Sequence, residues 1–244
     1  MTFWDHLDEL RSVIIRALLV VAVFAVAAFC MKDALFSLLL APTHADFITY
    51  RLIGADEEFR LTLVNTGLTE QFVVHVRTAF YAGLLCASPY VLYLLARFVA
   101  PGLYERERAV GVRLVGGAYL MFLVGTVVNY LLVFPLTVRF LGSYQVSEEV
   151  GSMLTLQSYI DTLLGLGLVM GLVFELPVMC WMLSRFGLLS KELMRRYRRH
   201  AFVGILIAAA VITPTGDPFS LLAVTLPIYL LYELSMLLVS NKNT

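Results

Sequence analysis

Thr162-Leu-Leu-Gly-Leu-Gly-Leu-Val-Met-Gly-Leu-Val-Phe-Glu175-Leu-Pro177 is the stretch that decides the fold. It carries no charge from Thr162 to Phe174, and the apolar run resumes after Pro177. The whole run, about Ser158–Leu183, exceeds the roughly 20 residues a helix needs to cross a bilayer. One acid, Glu175, lies deep within it, while Asp161 stands near its start. A charge at bilayer depth costs about 2.5–3.5 kcal/mol on insertion scales, which makes Glu175 a functional candidate. Pro177 has no N–H, so it frees the carbonyl of Val173 one turn earlier and predicts a kink beside the acid. The plainer reading is a protonated Glu175 bonded to a neighbouring helix. Gly167 and Gly171 form a GxxxG on the same run, beside Gly165. Small residues let backbones approach, and packing within the chain is the simpler account of them.

The rest of the chain resembles this stretch in composition. Of 244 residues, 60% are apolar and 15% charged, and mean hydropathy is +0.84. Soluble domains run about 45–50% apolar and about 25% charged. Eighteen Lys and Arg balance eighteen Asp and Glu, which excludes a nucleic-acid binder and a disordered chain. Cys30, Cys86 and Cys180 each lie in an apolar run without CxxC spacing, and read as small hydrophobes. The four His show no paired-ligand spacing. Neither a metal site, a cofactor site nor a catalytic constellation is expected. The polar start (Asp5, His6, Asp8, Glu9, Arg11) lacks a basic n-region, so the first apolar run reads as a retained span.

Six runs qualify as spans: about 13–31, 72–98, 111–134, 158–183, 201–213 and 219–239. The chain therefore reads as one all-α integral membrane domain over residues 1–244. The fifth run is short, at roughly 20 Å against a hydrocarbon core of roughly 30 Å. It either begins within Lys191–His200 or thins the bilayer, unless runs five and six form a re-entrant pair. With the N-terminus in the cytoplasm, thirteen of the eighteen Lys and Arg fall on that side. That bias predicts six spans with both termini inside. The outer loops Lys32–Gln71 and Pro135–Gln157 are long enough to hold structure of their own. The third is only the Pro214–Pro218 turn.

At the amino terminus, Phe3, Leu7 and Leu10 repeat at helical spacing with carboxylates on the other flank. In the first inner loop, Glu105 and Glu107 run against the positive-inside trend. Both segments are open to two readings: solvated salt bridging, or a carboxylate rim for a cationic ligand. A planar guanidinium matches a carboxylate bidentately, so a ligand bearing arginine is the natural guess.

These segments also carry a resemblance. Trp4-Asp-His-Leu-Asp-Glu-Leu-Arg11 resembles the amino-terminal motif of the TatC family, the six-span receptor subunits of the twin-arginine protein translocase. Ser88-Pro89, Tyr93 and Phe98-Val-Ala-Pro-Gly-Leu-Tyr-Glu-Arg-Glu-Arg108 are similar to its second span and first inner loop. Phe134-Pro135-Leu, Phe174-Glu175-Leu-Pro177, Ile212-Thr-Pro214, Asp217, Ser220 and Tyr232-Glu233 follow in the family's order. Leu94-Leu-Ala-Arg97 departs from the Gln-x-Trp common in the family.

The resemblance implies a receptor in the bacterial cytoplasmic (inner) membrane. Such a receptor binds the Arg-Arg signal peptides of folded cargo and gathers single-span TatA/TatB-type partners, as a homo-oligomer in the receptor complex. It implies signal-peptide roles for Glu9, Arg11 and Glu107. It places Glu175, with Pro177, on a concave membrane face that docks partners, and gives outer-loop roles to Pro42 and Asp217. The competing readings are a proton-coupled small-solute transporter using Glu175 and a membrane enzyme. A transporter calls for several convergent intramembrane polar groups. An enzyme calls for a nucleophile with its base, or metal ligands, at a spacing the sequence does not offer.

Overall fold

Helix follows helix along nearly the whole of the computed structural model, which describes residues 3–54, 61–99, 108–144, 153–185, 187–213 and 216–239. The helices are α1 (Phe3–Cys30), α2 (Lys32–Leu40), α3 (Ile48–Leu52), α4 (Glu70–Val99), α5 (Arg108–Val128) and α6 (Phe134–Ser143). Then come α7 (Leu156–Val173), α8 (Leu176–Arg185), α9 (Lys191–Arg196), α10 (Arg198–Ile212) and α11 (Pro218–Leu238). Among the described residues, five stretches are long and apolar enough to cross a membrane: Leu7–Cys30, Glu70–Leu95, Val115–Ser143, Leu156–Arg185 and Pro218–Leu238. The chain is thus a multi-pass helical membrane protein.

Two features differ from the sequence expectations, the end of the third span and a strand pair, and the short fifth span keeps to them. The third span does not stop at Phe134. A π-helical turn, Asn129–Val133, carries α5 into α6, and Pro135 sits in the first turn of α6. The expected fifth span is α10, of 15 residues, which rises about 22 Å and stays short of a roughly 30 Å core. It begins at Arg198, within Lys191–His200 as one reading of the sequence expected, and Tyr197 (φ −95°, ψ 11°) separates it from α9. Finally, the architecture is not purely helical. β1 (Leu63–Val64) and β2 (Leu154–Thr155) pair in parallel, Leu63 with Leu154 and Val64 with Thr155.

The chain divides into two compact units, residues 1–41 with 65–120, and residues 42–64 with 121–244. In the first, α1 lies against α4. A Cβ on Gly83 would stand 2.5 Å from the Ala25 backbone nitrogen, so only glycine permits this approach. The His75 ring stacks on Phe29 at 4.0 Å, and its Nε2 lies 3.1 Å from the Phe29 carbonyl. Within α4, Pro89 leaves the Leu85 carbonyl without its helical donor, and the Ser88 hydroxyl donates to it at 2.6 Å.

In the second unit the core is Val133, Leu166, Met170, Phe174, Ala209, Val224, Ile228 and Leu231. Here α5 and α7 meet at two glycines. A Cβ on Gly125 would be 2.6 Å from the Met170 carbonyl oxygen, and one on Gly171 would be 2.7 Å from Phe122 Cε2. Packing within the chain is therefore what Gly171 does, whereas a Cβ on Gly165 would meet nothing within 4 Å.

Candidate functional site

Glu175 stands where the fourth span breaks. α7 ends at Val173, α8 begins at Leu176, and Pro177 is buried as the second residue of α8. Pro177 cannot donate to the Val173 carbonyl, so the regular ladder stops there. The chain tightens instead: Phe174 N donates to Met170 O at 2.9 Å, and Glu175 N donates to Leu172 O at 3.1 Å. The Glu175 carbonyl then starts the next helix by accepting from Met179 N at 2.9 Å. The 10 residues of α8 beyond it rise about 15 Å, half of a roughly 30 Å hydrocarbon core. Glu175 is half-buried, and its Oε1 is buried without a hydrogen-bond partner among the described residues. A buried acceptor left open costs about 1–3 kcal/mol, and that cost is removed when a donor arrives from outside.

Pro42 belongs to a different construction in the same unit. It lies buried in the 3-10 turn Ala41–Thr43. The Tyr50 hydroxyl is 3.0 Å from its carbonyl and 3.2 Å from that of Pro135, and it shares its proton between them. Beside it, the Thr49 hydroxyl donates to the Leu131 carbonyl, which Pro135 has deprived of its helical donor. Burial pushes the Tyr50 phenol up to about 12, so it remains a donor at any ordinary pH. The short helix α3 thus pins the Pro42 turn to the bend between α5 and α6. The Arg139 guanidinium lies over the Tyr50 ring at 5.7 Å.

Asp217 caps α11: its Oδ1 accepts from Ser220 N at 2.7 Å, ahead of Pro218 at the first helical position. The C-terminal end of the same helix is tied by Glu233 Oε1, which accepts from Arg198 Nε at 2.7 Å, while the Tyr232 hydroxyl donates to the Met194 carbonyl at 2.7 Å.

Glu9 and Arg11 belong to the first unit, on α1. Glu9 is half-buried and its Oε2 has no partner among the described residues. Arg11 is exposed and shares a shallow depression with Asp8, Ser12, Ile15 and Arg16. Glu107 lies outside the described residues, as does Glu105.

The structure thus joins Pro42 to Pro135 through Tyr50 and sets Glu175 beside Pro177. Thr49 and Tyr50 were missed by sequence reasoning. The available signal was Pro135 itself, since a proline within a long helical run leaves a carbonyl that something must satisfy. Asn129 was missed too. It is 1% exposed in the π turn, and its Nδ2 donates to the Leu163 carbonyl at 3.3 Å. Among the described residues, no group of three or more His, Cys, Asp or Glu could hold a metal ion.

Comparison with known proteins gives the family. The family model described as Sec-independent protein translocase protein (TatC) matches residues 5–227. The TatC protein of Deinococcus radiodurans is 37% identical over 236 residues, covering 96% of this chain and 84% of that protein. The TatCy protein of Bacillus subtilis is 33% identical over 238 residues, covering 98% of this chain and 88% of its own. A crystal structure of a twin-arginine translocase receptor, TatC, superposes with a TM-score of 0.77 at 27% identity, over 96% of this chain and 97% of that one. A second crystal structure of that receptor, in the detergent DDM, gives a TM-score of 0.79 at 26% identity. These relatives are translocase components. With the model matched from residue 5 to residue 227 and relatives above 30% identity over nearly its whole length, the chain belongs to the TatC family of Sec-independent protein translocase proteins.

Proposed function

We propose that this chain is the receptor subunit of a twin-arginine translocase. It takes six spans through the bacterial cytoplasmic membrane, with α10 as the short fifth and both termini in the cytoplasm. Glu9 and Glu107 accept the paired guanidiniums of an Arg-Arg signal peptide, and Arg11 orders the carboxylates beside it. The observation that carries this reading is the likeness, over 96% of the chain, to a crystal structure of a twin-arginine translocase receptor. The open Oε2 of Glu9 supports the arginine assignment, because a guanidinium offers the donors that atom lacks.

Glu175 and Pro177 form a polar dent in the membrane face, where a polar group on the transmembrane helix of a TatA/TatB-type partner docks. Interhelical polar contacts average only about 0.6 kcal/mol, up to about 1.7, so losing one weakens assembly without unfolding the chain. Pro42, held by Tyr50, and Asp217, capping α11, keep the outer turns in shape for cargo passage. The receptor works as a homo-oligomer.

The test separates rim from membrane face. Glu175→Ala removes a costly intramembrane group, so it should insert and accumulate at least as well as the parent chain. It should still bind signal peptide, yet fail at export and crosslink less to its single-span partner. Normal export of folded cargo by Glu175→Ala would falsify the docking role. Loss of small-solute uptake in proteoliposomes would put a proton-coupled carrier in its place.

A further inference from the structure

The corner between α9 and α10 carries Lys191, Arg195, Arg196, Arg198, Arg199 and His200, against one acid, Glu192. Arg195, Arg196 and Arg199 are exposed. Arg198 is spoken for by Glu233 and Tyr229, but Lys191, Arg195, Arg196 and Arg199 form no ion pair among the described residues. Tyr197 N donates to Leu193 O (3.1 Å) and Ala201 N to Tyr197 O (2.9 Å), so the last turn of α9 and the first turn of α10 meet at Tyr197. Arg195 and Arg196 close α9 just before the corner, and within α10 four-residue steps lead from Arg199 to Val203, Ile207 and Val211, a ridge inclined to the helix axis. Its apolar members are 52%, 62% and 82% exposed. Cations at the head and branched aliphatics below form the outline of a phospholipid. The short rise of α10 strengthens the match, because a helix of about 22 Å draws its basic end into the headgroup layer of a thicker bilayer.

We infer that this corner binds an anionic phospholipid: Arg195, Arg196 and Arg199 hold the headgroup phosphate, and one acyl chain follows Val203, Ile207 and Val211. Guanidiniums grip phosphate oxygens through paired N–H donors. A partner's transmembrane helix would cover the same aliphatics but gives no use to three arginines that form no ion pair among the described residues. The site is independent of the signal-peptide rim and of Glu175, so its failure leaves the receptor reading untouched.

Native mass spectrometry of the full-length chain in detergent tests it, with phosphatidylglycerol and phosphatidylcholine of identical acyl chains competing. The chain should retain phosphatidylglycerol preferentially, and the preference should fall as salt is raised. A basic residue near an anionic surface contributes about fivefold. The R195Q/R196Q/R199Q variant should therefore lose roughly a hundredfold of that preference, with its helical circular dichroism intact. R195K/R196K/R199K should keep most of it. R97Q/R185Q, which removes two arginines elsewhere, should keep it all. Equal retention of the two lipids, an equal loss in R97Q/R185Q, or displacement of the lipid by glycerophosphate at matched concentration would each overturn the proposal. So would a single-span helix that displaces the lipid while the triple variant binds phosphatidylglycerol as well as the parent chain.

Discussion

Thr49→Val probes how α3 is held against the junction of α5 and α6. Valine keeps the shape of threonine and removes the donor to the Leu131 carbonyl. Thr49 is 7% exposed, so water does not freely replace the lost hydroxyl. A buried acceptor deprived of its partner costs about 1–3 kcal/mol. That cost falls on the docking of α3, which should open about five to 150 times more often. The assay is hydrogen exchange of the α3 amides in detergent, with exchange in the buried part of α7 as the reference. A second background sharpens the test. Pro135→Ala restores the backbone N–H that pairs with the Leu131 carbonyl in a regular helix, so Thr49→Val should cost measurably less there. Exchange that changes less than twofold in Thr49→Val would refute the reasoning. An equal effect in both backgrounds would do the same.

Two further outcomes follow from the packing and the charge distribution. Gly171→Val and Gly125→Val force side chains into space already filled by Phe122, and by the Met170 carbonyl and Phe174, so each should destabilise the fold in detergent unfolding by about 1–3 kcal/mol or more; Gly165→Ala, with nothing within 4 Å of its Cβ, should gain up to about 1 kcal/mol, and a harmless Gly171→Val would mean that α5 and α7 do not meet there. In a background with Cys30, Cys86 and Cys180 replaced by serine, Asp46→Cys should react with impermeant thiol reagents from outside the cell and Arg196→Cys only after the membrane is opened, whereas outside labelling at Arg196 would end the topology proposed above.

Helix positions were legible from apolar run length alone, because lipid imposes the same solution on every span. The break at Glu175 was legible for a different reason, since Pro177 acts locally through its own missing N–H. Span three was expected to end at about Phe134, and it runs on to Ser143. The π turn and the Thr49 hydroxyl together let the helix run on to Ser143. That compensation comes from a residue over eighty positions away, and no local pattern announces it. Pairing of Leu63 with Leu154 was equally hidden, being two residues long and set between distant loops. For the site, Glu175 announced itself by being costly where it stands. Asp217 was marked by the resemblance, while its capping bond to Ser220 became visible only in the fold.

The most direct measurement of the central claim is the affinity of the detergent-purified chain for an Arg-Arg signal peptide, set against the same peptide with both arginines exchanged for lysine. Hydrogen bonds to charged groups contribute about 1.5–3 kcal/mol, so Glu107→Gln should weaken binding of the Arg-Arg peptide by roughly tenfold or more. Glu9→Gln should weaken it in the same direction, and the Lys-Lys peptide should bind both variants and the parent chain comparably and weakly. Equal affinity of the parent chain for the two peptides, or unchanged affinity in both Glu9→Gln and Glu107→Gln, would contradict the account.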